Sequence, residues 1–128
     1  MHKTAIHSPD APSAIGTYSQ AIRSGQTVYL SGQVPLNPAT QQMVSGDIEA
    51  EIHQVFKNLT AVATAAGGTL ADFVRVGVYL TDLTDFPKLN AVMSSYLTEP
   101  FPARSTIQVA ALPRGARVEV DAVMVLPG

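Results

Sequence analysis

Val118-Glu119-Val120-Asp121-Ala122-Val123-Met124-Val125 is an apolar run interrupted by carboxylates. A strand sends successive side chains to opposite faces. Val118, Val120, Ala122 and Met124 therefore share one face, suited to a core. Glu119, Asp121, Val123 and Val125 share the other, which is mixed. Upstream stands Phe101-Pro102-Ala103-Arg104-Ser105-Thr106-Ile107-Gln108-Val109. Proline fixes its own φ and holds the preceding residue extended. Arg104 is thereby aimed at the head of a β-branched strand. A guanidinium and a carboxylate on neighbouring strands are able to hold a small carboxylate-bearing molecule and do acid/base work on it.

The elements before these strands set the fold class. Tyr18–Ile22 and Thr27–Ser31 flank Ser24-Gly25-Gln26, a hairpin pattern with glycine at the turn. The second strand of the pair ends near Gly32, and residues 39–46 read as a polar loop. Asp47 is an N-cap, and Glu49 and Glu51 favour the positive end of a helix dipole. Ile48, Ile52, Val55, Phe56, Leu59, Val62, Ala63 and Ala66 then fall in steps of three and four, the apolar stripe of one helix. Gly67-Gly68 stops it. Phe73 to Thr81 reads as a strand with Val74, Val76, Val78 and Leu80 on one face. Asp85 caps a second helix with Pro87 in its first turn. Its apolar face is Phe86, Leu89, Val92, Met93, Tyr96 and Leu97, and Pro100 ends it. The closing strands are joined at Pro113-Arg114-Gly115. Two helices cannot cover both faces of a sheet of five or six strands, so both lie on one face. The expectation is an α+β fold.

Composition narrows the function. A chain of 128 residues is one domain, spanning residues 1–128. Charged residues are only 14%, against about 25% in ordinary domains. That shortage suggests hidden surface, most simply self-association through the face carrying Glu119 and Asp121. Net charge is −2 with no basic block, which argues against a nucleic-acid partner. Absence of cysteine removes disulfides, thiolate catalysis and cysteine metal sites. His2, His7 and His53 lack ligand spacing, so no metal site is expected. No stretch approaches the roughly 18 apolar residues that span a bilayer. A soluble cytoplasmic protein is expected.

Arg104 has two readings: a partner for a surface or interface carboxylate, or a bidentate clamp on a substrate carboxylate. Glu119 is an exposed edge residue or a carboxylate that orients and deprotonates water. Asp121 suits salt bridges across an interface. Ser31-Gly32 is a strand terminator, or a place where a backbone N–H meets a ligand oxygen. Tyr18 and Tyr29 are packing aromatics by default. Asn90, among apolar neighbours, faces a site or bonds a nearby loop.

The sequence closely resembles the RidA/YjgF family, the reactive intermediate deaminases. The resemblance rests on Ala14–Ala21, Leu30–Pro38, Ala65-Ala66-Gly67-Gly68, Val78–Leu83, Pro102-Ala103-Arg104-Ser105, and Leu112-Pro113 through Val118-Glu119-Val120. It implies a chorismate-mutase-like sheet with two helices on one face, and a homotrimer whose sheets form a barrel, with sites between subunits. It implies cofactor-free hydrolysis of enamines and imines such as 2-aminoacrylate and 2-iminopropanoate to 2-oxo acids and ammonia. Arg104 would hold the substrate carboxylate and Glu119 would orient water. Tyr18, Ser31, Gly32, Asn90 and Thr106 would complete the substrate site. Thr17 stands where many relatives have proline, and Thr106 where many have cysteine. Two other roles associated with the family remain as alternatives: a non-catalytic carboxylate-binding or chaperone-like protein, and an endoribonuclease or translation inhibitor.

Overall fold

The computed structural model describes residues 2–128. Its elements are β1 (Thr4–Ile6), β2 (Ala21–Ser24), β3 (Thr27–Gln33), β4 (Leu36–Asn37), β5 (Gln42–Met43), α1 (Ile48–Ala65), β6 (Phe73–Leu80), α2 (Phe86–Met93), β7 (Ala103–Gln108) and β8 (Val118–Val125). Six strands form one mixed sheet in the order β1-β2-β3-β8-β6-β7, and β4-β5 is a separate hairpin. The α+β expectation with both helices on one face is met. β8 inserts between β3 and β6 and runs antiparallel to both. β7 lies parallel to β6 at the sheet edge, with α2 supplying the crossover a parallel pair requires.

The core lies between the sheet and the helices. Val118, Val120, Ala122 and Met124 of β8 are buried against Ile52, Val55, Phe56, Leu59 and Val62 of α1. The Asp47 side chain caps α1 by accepting from Ala50 N at 2.8 Å. Gly67, at φ 91°, ends it in a conformation that other residues adopt only with strain.

Local structure departs from the expectations in six places. The β6 register shifts between Phe73 and Arg75, so Phe73 is buried and Val74 turns outward. A bulge of this kind moves every preceding side chain to the other face. The Asp85 side chain makes no cap bond; Asp82 instead accepts from Thr84 N at 2.9 Å. The α2 helix proper ends at Met93, and Ser94 to Leu97 continue as turns. The polar loop after β3 holds the β4-β5 hairpin, and the N-terminal segment adds β1. Finally, β6 separates β7 from β8, so Arg104 and Glu119 do not lie on neighbouring strands.

Two buried polar groups tie the loops down. The Gln20 amide accepts from Ser8 N at 2.5 Å and donates to the carbonyls of Ser8, Ala11 and Pro12. Glu51, only 5% exposed, pairs with Arg117 on the approach to β8. Arg117 also donates to the Gly46 carbonyl at 2.7 Å. Removing one member of a buried pair strands the other charge. Arg117→Ala should therefore lower unfolding stability by about 2–3 kcal/mol in chemical denaturation. Arg117→Lys, lacking the guanidinium fork, should recover only part of it.

Candidate functional site

Glu119 sits on the sheet face away from the helices, beside the irregular stretch of β3. Pairing between β3 and β8 shifts register between Leu30 and Gln33, which frees the backbone around Ser31-Gly32 from the regular ladder. Gly32 lies directly beneath the Glu119 carboxylate, and a Cβ at Gly32 would collide with Glu119 Oε2. Glycine is the only residue that leaves room for the carboxylate here. Burial, and secondarily the charge of Asp121, hold the Glu119 carboxyl above the usual carboxylate range.

A cleft of about 610 Å³ opens in front of Glu119. Its walls include Tyr18, Ser31, Gly32, Gln33, Ile15 and Arg114. Gln20 and Pro12, joined by a hydrogen bond from the Gln20 amide to the Pro12 carbonyl, line the same cleft. Ile15 and Tyr18 are 76% and 53% exposed, so Tyr18 is a rim residue rather than a packing aromatic. The Ser31 hydroxyl donates to the Ser19 carbonyl at 2.6 Å and leaves its oxygen toward the cleft as an acceptor.

Arg104 lies elsewhere. On β7 it pairs in register with buried Val76 and therefore points to the helix face. Its Nη1 donates to Asn90 Oδ1 at 3.0 Å, and its guanidinium stacks over the Phe86 ring at 5.0 Å. Asn90 thus bonds the arginine rather than a loop. A pocket of about 350 Å³ beside it is lined by Val76, Met93, Leu97 and Phe101. On its other side Thr106 and Leu83 line a shallower depression. Thr106 Oγ1 is buried and unpartnered among the described residues, a donor in search of an acceptor. Arg104 forms no ion pair with any described carboxylate.

The sequence-expected residues therefore divide into two clefts. Tyr18, Ser31, Gly32 and Glu119 share one, and Asn90, Arg104 and Thr106 share the other. Arg104 and Glu119 lie two strands apart and on opposite faces. Within one chain they cannot hold a single small molecule. Among the described residues Asp121 pairs with no cation; it accepts from Tyr79 Oη at 2.9 Å above buried Gly77. That bond, more than burial, pushes the Tyr79 hydroxyl up. Arg114 and Ile15 were not singled out in the sequence as lining residues. Arg114 occupied what read as a plain connector, and Ile15 carries no chemical signal. Among the described residues no cluster of His, Cys, Asp or Glu suits a metal, and no helix is long and apolar enough to cross a membrane.

Comparison with known proteins agrees with this architecture. The family model for endoribonuclease L-PSP matches residues 8–126. Protein DfrA of Myxococcus xanthus is 50% identical over 98% of this chain and 97% of its own length. The 2-iminobutanoate/2-iminopropanoate deaminase of Dermatophagoides farinae is 47% identical over 97% of each chain. The crystal structure of RidA from an Antarctic Psychrobacter superposes with a TM-score of 0.93 at 47% identity, covering 96% of this chain and 99% of that one.

The raised Glu119 pKa has a stability consequence. The folded protein holds that proton more tightly than the unfolded chain does. Glu119 therefore contributes stability below its unfolded pKa, and the contribution is lost as pH rises through the folded value. Glu119→Gln, which stays neutral, should melt above the parent at about pH 7, and the gap should close toward about pH 4 in a thermal-melt series.

Proposed function

The chain belongs to the endoribonuclease L-PSP family, also known as RidA/YjgF, and from that premise we propose that it hydrolyses reactive 2-imino acids to 2-oxo acids and ammonia. The observation that carries the proposal is a half-buried carboxylate, its pKa raised by burial, held over Gly32 in a cleft, with an arginine that pairs with no described carboxylate in a second cleft. An imine carbon is already electrophilic, so positioning and one proton relay suffice. Arg104 takes the substrate carboxylate in its planar fork, steadied by Asn90 and Phe86. Thr106 Oγ1 donates to the same carboxylate. Glu119 accepts a proton from water as the water oxygen bonds to C2, then returns it to nitrogen. Glu119 then carries the hydroxyl proton of the carbinolamine to nitrogen, the C–N bond breaks to release ammonia, and the carbonyl forms. Imine and water become 2-oxo acid and ammonia, with no redox change. The Ser31 N–H is held by the Gln20 carbonyl at 3.0 Å, so the Gly32 N–H is the backbone donor in this reading for the reacting oxygen or nitrogen.

The site in this reading is shared by two copies in a homotrimer. The separation of Arg104 from Glu119 within the chain supports it. So do the exposed apolar residues at both rims: Ile15 and Tyr18 at one, Phe101 and Ile107 at the other. The face away from the helices also carries Tyr29, Val123 and Val125 beside Asp121 and Tyr79, a largely apolar surface suited to burial between copies. A ribonuclease reading has weaker support, because each cleft is lined by a single cation.

The test follows the decay of 2-aminoacrylate released by a serine dehydratase. The parent should accelerate it, and Arg104→Ala and Glu119→Gln should each lose at least about a hundredfold. A carboxylate-binding protein without activity would bind 2-oxobutanoate through Arg104 and accelerate nothing. Mixing the two inactive variants after reversible dissociation should restore activity at about one site in four, because each site draws on two chains. No recovery would mean that the two groups do not complete one site between copies.

The pH profile supplies a second check. Rate should rise with pH through the raised Glu119 pKa. Asp121→Asn removes a like charge and should move that limb to lower pH.

A further inference from the structure

The Glu119 cleft holds more than a three-carbon imino acid uses. Its volume is about 610 Å³, and Arg114 is the only cation among its lining residues. Arg114 stands at φ 59°, ψ 25°, a left-handed conformation that side chains other than glycine, asparagine and aspartate rarely adopt. Pro113 enters the turn with its φ fixed, and Gly115 leaves it at φ 71°. The turn spends a strained position on an arginine. One nitrogen, Nη2, donates to the Gln41 carbonyl at 3.3 Å, and Gln41 is itself left-handed at φ 58°. No other hydrogen bond and no ion pair engages this guanidinium among the described residues, although Glu119 lines the same cleft. The cleft therefore presents both a carboxylate for chemistry and a guanidinium with open donors.

We infer that Arg114 receives a second anionic group on the substrate, so that this chain accepts imino acids of the dicarboxylic class. The inference rests on the imine-hydrolase reading of the site and adds to it the substrate class. Arg104 holds the carboxylate next to the reacting carbon. Arg114 takes the side-chain carboxylate on the Glu119 side of the cleft. A planar fork with donors to spare is the group that recognises a carboxylate with direction as well as charge. Gln41 fixes one nitrogen, so part of the ordering cost of the long side chain is met before the ligand arrives.

The test compares two imines made in situ by an amino-acid oxidase, one from glutamate and one from alanine. In parallel, calorimetry measures binding of 2-oxoglutarate and 2-oxobutanoate. Arg114→Asn is the informative variant, because asparagine tolerates the left-handed turn and carries no charge. The parent should hydrolyse both imines and bind 2-oxoglutarate the more tightly. Arg114→Asn should lose about tenfold or more in kcat/KM and in affinity for the dicarboxylates, and stay within about twofold on the small acids. Arg114→Lys should restore part of the loss. Equal losses on both substrates would overturn the proposal and leave Arg114 as a support for the Gln41 turn. Hydrolysis of the alanine imine alone by the parent would overturn it while leaving the hydrolase reading intact. If neither imine is accelerated the hydrolase reading fails, and binding decides: an Arg114-dependent preference for 2-oxoglutarate supports the recognition, and its absence overturns it.

Discussion

Everything in this molecule depends on one strand being paired on both sides. β8 lies between β3 and β6, so its backbone is committed to two ladders and its side chains to two faces. The inward set, Val118, Val120, Ala122 and Met124, is closed over by α1. The outward set begins with Glu119 and Asp121. A central strand cannot slip by one residue without exchanging those sets. The same constraint that buries the core therefore fixes the height and direction of Glu119. The Arg117–Glu51 pair, at the entrance to β8, locks that register from the helix side.

The division of chemistry between two clefts follows from the same topology. β7 can join the sheet only at the outer edge of β6, because β8 already occupies the inner one. In register with Val76 and Val78, Arg104 and Thr106 must face the helices. Glu119, opposite Tyr79, must face away from them. No rotamer change brings the two together. A chain built this way either uses its two clefts for different tasks or completes each one with a second copy. The exposed apolar rims favour the second arrangement.

What the sequence revealed was whatever obeys a single period. The α1 stripe, its Asp47 cap and the β8 alternation are repeated signals that agree with one another, and each reappears in the structure. Arg104 and Glu119 were legible for a related reason: a charge inside an apolar run is rare enough to notice, whereas Tyr18 and Thr106 entered as site residues only through the family resemblance. The misreadings arose where one residue breaks a period. The bulge at Phe73–Arg75 reversed Val74, and nothing in Phe-Val-Arg-Val marks it. The three residues of β1 and the two-residue strands β4 and β5 are too short to show alternation. Placing Arg104 and Glu119 on neighbouring strands assumed that strands adjacent in sequence are adjacent in the sheet. The inserted β8 denies that. Arg114 was missed because its significance lies in backbone conformation and in lining a cleft, neither of which has a local signature.

Insertion of a late strand also sets a timetable for the newborn chain. Val28 on β3 waits for Met124, and Leu30 for Ala122. Until those residues emerge, the β2-β3 hairpin presents an open strand edge, and the apolar face of α1 has only part of its sheet to cover. Pairings this distant in sequence are the slow step of folding, because loop closure must be met before any contact repays it. During synthesis the growing polypeptide therefore carries exposed apolar surface beside an unpaired edge, the condition under which chains aggregate. The strand order thus leaves the newborn chain open to aggregation until β8 has emerged.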